Sequence, residues 1–396
     1  MSTKSRINIV ILVILAVVIS LPSILLVTYK VSNCKFLKRA VVAKLSGVFI
    51  KQEFPAFSFD YFQIGGFQKD FEKWFEQNFG GREVLIRLNN QVYYQLFKKS
   101  YQYSGNIIIG KEKQLFERGY INDYVNITPV MPKEEQNDFI GKINRVSNLF
   151  KRHDIQFILM ITPSKAYTYP EYIPDCYRKL KKGTTTYDEI IQLIKAEKLV
   201  VLDYQKTTLD YKNNSSLPVF PRGGTHWSYL TACYATIDLV DLIEKITMVK
   251  LPKIKIERVI LNKKPSRKID MDLVLLMNLF VKPLDYVVPI PEIKMYNTNS
   301  KPSLKLSIVG GSFTSQLIEY LKKYPIFASV ERYYYYILEY KKVPSSGKPI
   351  KTFNPRDEQW WKNHILKSNV VVLEINQCNF SGNHIKCFLE DALKYL

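Results

Sequence analysis

Apolar and polar positions alternate in blocks along most of this chain, and the blocks set its expected elements. Gln156–Thr162 (QFILMIT), Leu199–Asp203 (LVVLD), residues 304–309 (LKLSIV) and Asn369–Ile375 (NVVVLEI) are short apolar runs. Runs of this length bounded by turn residues predict buried strands. Between them apolar positions recur at helical spacing. Pro132 predicts the start of a helix whose inner face is Phe139, Ile143, Val146 and Phe150. A second helix is expected from Thr186, with Glu189 three residues on as a capping box. A third follows His226, near Leu230–Ile246. Val/Ile/Leu strands separated by helices predict a parallel sheet covered on both faces. Such sheets bind ligands at the carboxyl ends of their strands. Pro163–Lys165, Ser312 and Asn376 all fall there. Residues 205–225 and 250–303 are polar, Lys-rich or Pro-interrupted and read as loops and insertions around the crevice. Tyr333–Tyr336 reads as an edge strand with two rings on each face, for packing first and as a sugar-stacking platform second.

The pattern changes upstream. Phe67, Phe71, Trp74, Phe75 and Phe79 share one helical face, expected to pack in a core. Leu85, Leu88, Val92 and Leu96 line a second helix, and 106–110 (NIIIG) reads as a short strand. Ile9–Thr28 is twenty residues without a charge. That length spans a bilayer and exceeds a typical signal-peptide core. The expected organisation is therefore a cytoplasmic tail at 1–6, a membrane anchor at 7–29 (Ile7–Tyr29), a linker and helical segment at 30–125, and an α/β domain at 126–396. Lysines and arginines flank the apolar stretch on both sides, so charge alone does not set its orientation.

The formal charge is +21, from 57 Lys+Arg against 36 Asp+Glu. Such a surface attracts nucleic acid, anionic membrane or a polyanionic polysaccharide. The chain carries no zinc-ligand spacing, RNP-like motif or helix-turn-helix signature, so no nucleic-acid partner is expected. Its five cysteines form no CxxC pair and suggest neither a metal site nor a disulfide framework. Cys378 and Cys387 read equally as one pair or two thiols. No metal and no cofactor are expected.

Two stretches carry candidate chemistry. Residues 304–317 (LKLSIVGGSFTSQL) read as strand, glycine turn and helix, with Ser312 in the turn. A serine there is presented at the end of the sheet beside free N–H groups of the next helix, as a nucleophile with an oxyanion hole requires. Gly223–Trp227 (GGTHW) places His226, one of only four histidines, in a Gly-flanked loop before a helix. His226 is the candidate general base.

GGTHW followed by an apolar helix, with VGGSF much later, resembles the AlgX/AlgJ-type alginate O-acetyltransferase family. So do FEKWFEQNFGGREVLIRLNNQVYYQLF, NIIIGKEKQLF and ILMITPSKAYTYPEY. The resemblance runs from about residue 66 to 376 and rests mainly on the order of the motifs. It implies an SGNH-hydrolase-like three-layer α/β domain with a central parallel sheet. Its histidine block precedes its serine block, as in a circular permutation of ordinary SGNH hydrolases. It implies Ser312 as acyl-accepting nucleophile and His226 as base. Gly311, Lys165 and Asn376 are the candidate oxyanion or substrate contacts. Two positions depart from the family. Gly224 stands where D-T-H-W has its Asp, and Gly311 where G-D-S-F has its Asp. Asp203, Asp272 and Glu374 are the candidate acids to orient His226 instead. The resemblance further implies a single-pass inner-membrane protein with a periplasmic or extracellular domain. It would acetylate an exported polysaccharide with acetyl groups from a multi-spanning membrane acyltransferase, and the basic surface would suit an acidic glycan. A carbohydrate-binding or assembly subunit with a degenerate site, and a carbohydrate acetylesterase, are the alternatives.

Overall fold

The computed structural model describes residues 8–17, 20, 21, 24, 44–47, 52–79, 81–101, 106–297, 299–343 and 353–396. Contacts divide the chain into two units, 1–105 with 274–283, and 106–273 with 284–396. The second unit thus begins ahead of the expected boundary at 126. Part of the anchor expected at 7–29, namely residues 7, 18, 19, 22, 23 and 25–29, lies outside the described residues. Among those described, no helix is long and apolar enough to cross a membrane.

In the first unit, helices α1 (Gly66–Asn78) and α2 (Arg82–Phe97) follow the expected periodicity. The aromatic face of α1 is not a buried core. Phe67, Phe71, Phe75 and Phe79 form a ladder of rings with centroids 6.0–6.1 Å apart. Phe71 and Phe75 remain 37% and 45% exposed. Residues four apart stack along one helix face, so the rings meet each other rather than a sheet.

The second unit is an α/β domain. Strands β1 (Ile107–Ile109) and β2 (Leu115–Glu117) form a small antiparallel pair. Helices α3 (Arg118–Tyr124) and α4 (Lys133–Arg152) then lead to β3 (Gln156–Thr162). Helix α5 (Thr186–Ala196) precedes β4 (Val201–Asp203), α6 (Tyr204–Asn214) and α7 (Tyr229–Thr247). A long hairpin, β5 (Lys253–Asn262) and β6 (Val288–Tyr296), follows. The chain then runs through β7 (Lys305–Gly310), α8 (Thr314–Lys323), β8 (Ser329–Tyr334), β9 (Glu339–Val343), β10 (Val370–Asn376) and α9 (Asn383–Tyr395).

Six strands make the central sheet in the order β4-β3-β10-β7-β8-β9, parallel except for β9. Alternation sends neighbouring side chains to opposite faces. Ile158, Met160, Leu306, Ile308, Val370 and Val372 face the layer that contains Leu239, Val240, Leu317 and Leu321. Phe157, Leu159, Val309, Val371 and Leu373 face Phe139, Phe150, Ile190 and Phe388. Both faces are buried, which is why these runs carry almost no polar residue. The expected three-layer fold with a mostly parallel sheet is the observed one.

Several local expectations are corrected. Residues 204–214 are helical, N-capped by Asp203 accepting from Lys206 N–H at 3.3 Å. Residues 253–262 and 288–296 pair as strands, held by the Arg258–Glu292 ion pair on an exposed face. The capping box lies one residue earlier than expected, from Thr185 to Asp188. In the tyrosine run only Tyr333 and Tyr334 are strand. Tyr335 and Tyr336 turn with φ of 43° and 63°. Tyr336 is buried, its hydroxyl donating to Asp391 at 2.9 Å. Cys378 and Cys387 are both free thiols.

Candidate active site

Strand β7 enters the site through Gly310 and Gly311. Neither has a left-handed backbone. The reason for glycine at 310 is close approach. A Cβ there would lie 2.6 Å from Glu374 Cβ on the neighbouring β10, below any real carbon–carbon contact. Glu374 is fully buried beneath the turn. One of its oxygens accepts from the Thr162 hydroxyl, the other from Gly311 N–H at 2.6 Å. Burial raises its pKa. Glu374 therefore ties the turn to the ends of β3 and β10. Gly311 N–H is occupied by that bond, which corrects its expected role as an oxyanion donor. Ser312 follows, part-exposed, and Phe313 is buried before α8 begins.

His226 sits in the loop before α7, its ring centroid 4.9 Å from that of Phe313. Its Nδ1 donates to Asp272 Oδ2 at 2.6 Å. Asp272 also accepts from Thr225 N–H at 2.9 Å and Leu273 N–H at 2.7 Å. A carboxylate only accepts, so the proton of the neutral ring resides on Nδ1 and Nε2 carries a bare lone pair. Nε2 is buried and has no protein partner. It makes no hydrogen bond to Ser312.

Of the three candidate acids, the structure brings only Asp272 to His226 Nδ1. Asp203 accepts from the Tyr187 hydroxyl at 2.9 Å and caps α6. Glu374 lies under the serine turn. Gly224 explains why the acid comes from so far along the chain. A Cβ at 224 would meet Ile269 O at 2.7 Å and Pro221 Cγ at 2.8 Å. Glycine leaves room for the 268–272 segment to pass against the loop and deliver Asp272.

Lys165 is neither a surface residue nor a substrate contact. It is 1% exposed, and Nζ donates to the carbonyls of Pro221, Arg222 and Gly224 at 2.7, 2.9 and 3.0 Å. All three donors are used, and burial holds its pKa well below the usual lysine range. Lys165 braces the loop that carries His226. Lys165→Met is expected to leave Gly224 O without its donor, at roughly 1–3 kcal/mol before relaxation, and to take a second donor from Pro221 O and Arg222 O, which keep Gly224 N–H at 3.3 Å and Leu115 N–H at 2.9 Å. A fall of several degrees in the thermal midpoint, with activity lost at temperatures where the chain stays folded, is the result to look for. Unchanged melting and activity would refute the bracing role.

A cavity of about 310 Å³ opens over the serine turn, lined by Ser312, Gly311, Phe313, Glu374 and Asn376 among others. Asn376 Nδ2 donates to Pro163 O at 3.2 Å. Sequence reasoning missed Glu117, Asp123 and His384 in this wall, and singled out Tyr335 only as part of the tyrosine run. The scarcity of histidine was a usable signal for His384. The carboxylates lie in a segment read only as linker. Burial raises the Glu117 carboxyl and pushes Asp123 up to about 6.

The second unit thus joins a mostly parallel α/β sheet, a serine turn at the carboxyl end of β7, and a histidine–aspartate pair beside Phe313. Residues 107–276 match the family described as ALGX: SGNH hydrolase-like domain, acetyltransferase AlgX, which bears out the resemblance read from the motifs. The matched stretch holds His226 and Asp272 and ends before Ser312. No curated protein matches the chain. Similar solved structures include the O-acetyltransferase domain of Pseudomonas putida AlgJ, at 14% identity over 69% of this chain and 92% of that one, TM-score 0.43. Pseudomonas aeruginosa AlgX is 12% identical over 72% and 67%, TM-score 0.44. Bacillus cereus PatB1 is 11% identical over 70% and 98%, TM-score 0.43.

Proposed function

We propose that this chain is a polysaccharide O-acetyltransferase that works through an acetyl-serine at Ser312. The observation that carries the reading is the His226 Nδ1–Asp272 bond, with Nε2 unpartnered and the ring 4.9 Å from that of Phe313, the residue after Ser312. In the first half-reaction Ser312 Oγ bonds to the acetyl carbon of a donor ester as its proton passes to His226 Nε2. The donor C–O bond breaks, and the leaving oxygen takes that proton. In the second, a sugar hydroxyl oxygen bonds to the acetyl carbon and gives its proton to Nε2. The serine ester bond breaks and Ser312 Oγ recovers the proton. The Ser312 N–H would donate to the developing oxyanion, while Glu374 holds the turn through Gly311 N–H. Asp272 fixes the tautomer and stabilises the imidazolium.

The apolar stretch Ile7–Tyr29 would anchor the domain at the outer face of the inner membrane, where a multi-spanning acyltransferase would deliver acetyl groups. The test is to treat the full chain with an activated acetyl ester and locate the label by peptide mass. One acetyl group on Ser312, passed to a glycan rather than only to water, supports transfer. Label elsewhere, or none, sinks the nucleophile. Label lost only to water makes the chain an esterase.

A further inference from the structure

Despite the surplus of cationic residues in the chain, no lysine or arginine among the described residues lines the cavity over Ser312 or the adjoining cavity that shares Asp123, Thr128 and Cys378 with it. The ionisable walls are Glu117, Asp123 and Glu374, then Glu135 further along. Two polar groups in the wall of the first cavity stand out, of which Asp123 is shared with the second. Asp123 is 8% exposed, and its Oδ2 has no protein partner. His384, on α9, is 6% exposed, and its Nε2 has none either. Its ring is edge-on to Tyr335 at 5.3 Å.

Both atoms are acceptors. A carboxylate offers only lone pairs. His384 has the backbone carbonyl of Glu374 as a hydrogen-bond partner, and burial lowers its pKa, so the ring is neutral. With the N–H turned to that carbonyl, Nε2 is left as a lone pair. Cations whose charge reaches these carboxylates are spent elsewhere. Lys181 donates to the carbonyls of Tyr124 and Gly183. Arg332, buried, donates to Thr314, Gly311 O and Ser315.

Two buried acceptors without partners select a ligand that brings donors, and leaving them bare is costly. A sugar hydroxyl supplies an O–H donor. A uronate carboxylate supplies none at neutral pH and would be placed against like charge, with no lysine or arginine among the described lining residues to pair with it. We infer that the acceptor glycan entering the cleft is a neutral sugar, not a uronate, and that Asp123 and His384 select it by accepting from two of its hydroxyls. This rests on the acetyltransferase reading but reverses the expectation, drawn from total charge, of an acidic glycan.

The test separates the two claims. Acetyl uptake is measured without acceptor and speaks only to the nucleophile. Acceptor choice is read by calorimetric binding to the full-length Ser312→Ala chain, which needs no chemistry. The probes are tetramers of glucose, N-acetylglucosamine and mannose, set against tetramers of galacturonate and mannuronate. The best neutral tetramer is expected to bind at least about tenfold tighter than the best uronate, the worth of one hydrogen bond to a charged group. Asp123→Asn and His384→Phe are each expected to remove about tenfold of that neutral binding. A uronate that binds as tightly as any neutral tetramer, or no neutral binding at all, overturns the inference. So does neutral binding unchanged in both variants.

Discussion

Ser312→Ala is expected to abolish covalent acetyl uptake and to lower transfer by roughly 10⁵–10⁶-fold, without loss of fold. The size follows from what the substitution removes. Only Oγ is lost, and with it the atom that would carry the acetyl group. The turn itself is held by backbone and by Glu374, through Gly311 N–H at 2.6 Å and Ser315 N–H to Ser312 O at 3.1 Å. The Thr314 hydroxyl donates to Gly311 O at 2.7 Å from the other side. None of these bonds uses the serine side chain, so melting should move by less than about 0.5 kcal/mol. Intact mass after treatment with an activated ester gives the first reading, and transfer to a neutral tetramer the second. A variant that still takes up one acetyl group would move the nucleophile elsewhere. A variant that fails to fold would contradict the account of the turn.

The parts of the chain that could be read from its pattern are those whose burial is symmetric. β3, β7 and β10 are covered on both faces, so their apolar runs are continuous and their neighbours are helices. Where one face meets water the signal weakened. KIKIERVILN at 253–262 alternates with charges that stay exposed, and its partner β6 contains Pro289 and Pro291, which reads against a strand. Both prolines face Leu261 and Val259 in a two-stranded ribbon, where ladder positions without an N–H are tolerated. Tyr204–Asn214 is a polar helix whose start is set by the Asp203 cap, and its few buried positions made no stripe to recognise.

The same logic divides the site. Ser312 and His226 announce themselves because glycines crowd around them. Each glycine has a spatial cause, Glu374 under Gly310 and Ile269 against Gly224. Sequence supplied the glycines but not their causes. Asp272 lies 46 residues beyond His226 inside a stretch read as insertion. Nothing local distinguishes it from Asp203, which has a structural task of its own. Lys165 shows the converse. A lysine at a strand carboxyl end suggests substrate, yet the backbone bulge of residues 221–224 consumes all its donors.

Asp272→Asn should lower turnover by about 10⁴-fold, the usual effect of losing the orienting carboxylate of a Ser-His-Asp triad. Asparagine keeps an oxygen that can accept from Thr225 N–H and Leu273 N–H, so the segment should stay seated. Its amide then presents N–H to His226 Nδ1. That nitrogen must become the acceptor, and the ring proton moves to Nε2. A protonated Nε2 cannot take the proton from Ser312, so the loss should fall on the chemical step rather than on glycan binding. Tetramer affinity of Asp272→Asn should accordingly match the parent chain. A carboxylate restored at the family position should not rescue it. In Asp272→Asn with Gly224→Asp, the new Cβ would sit 2.7 Å from Ile269 O and displace the 268–272 segment. The double variant should therefore be less stable than Asp272→Asn and no more active. Residual activity above about a hundredth of the parent in Asp272→Asn would remove Asp272 from the triad. Recovery in the double variant would mean that the loop accepts its acid from either side, and that the close packing at Gly224 does not decide which.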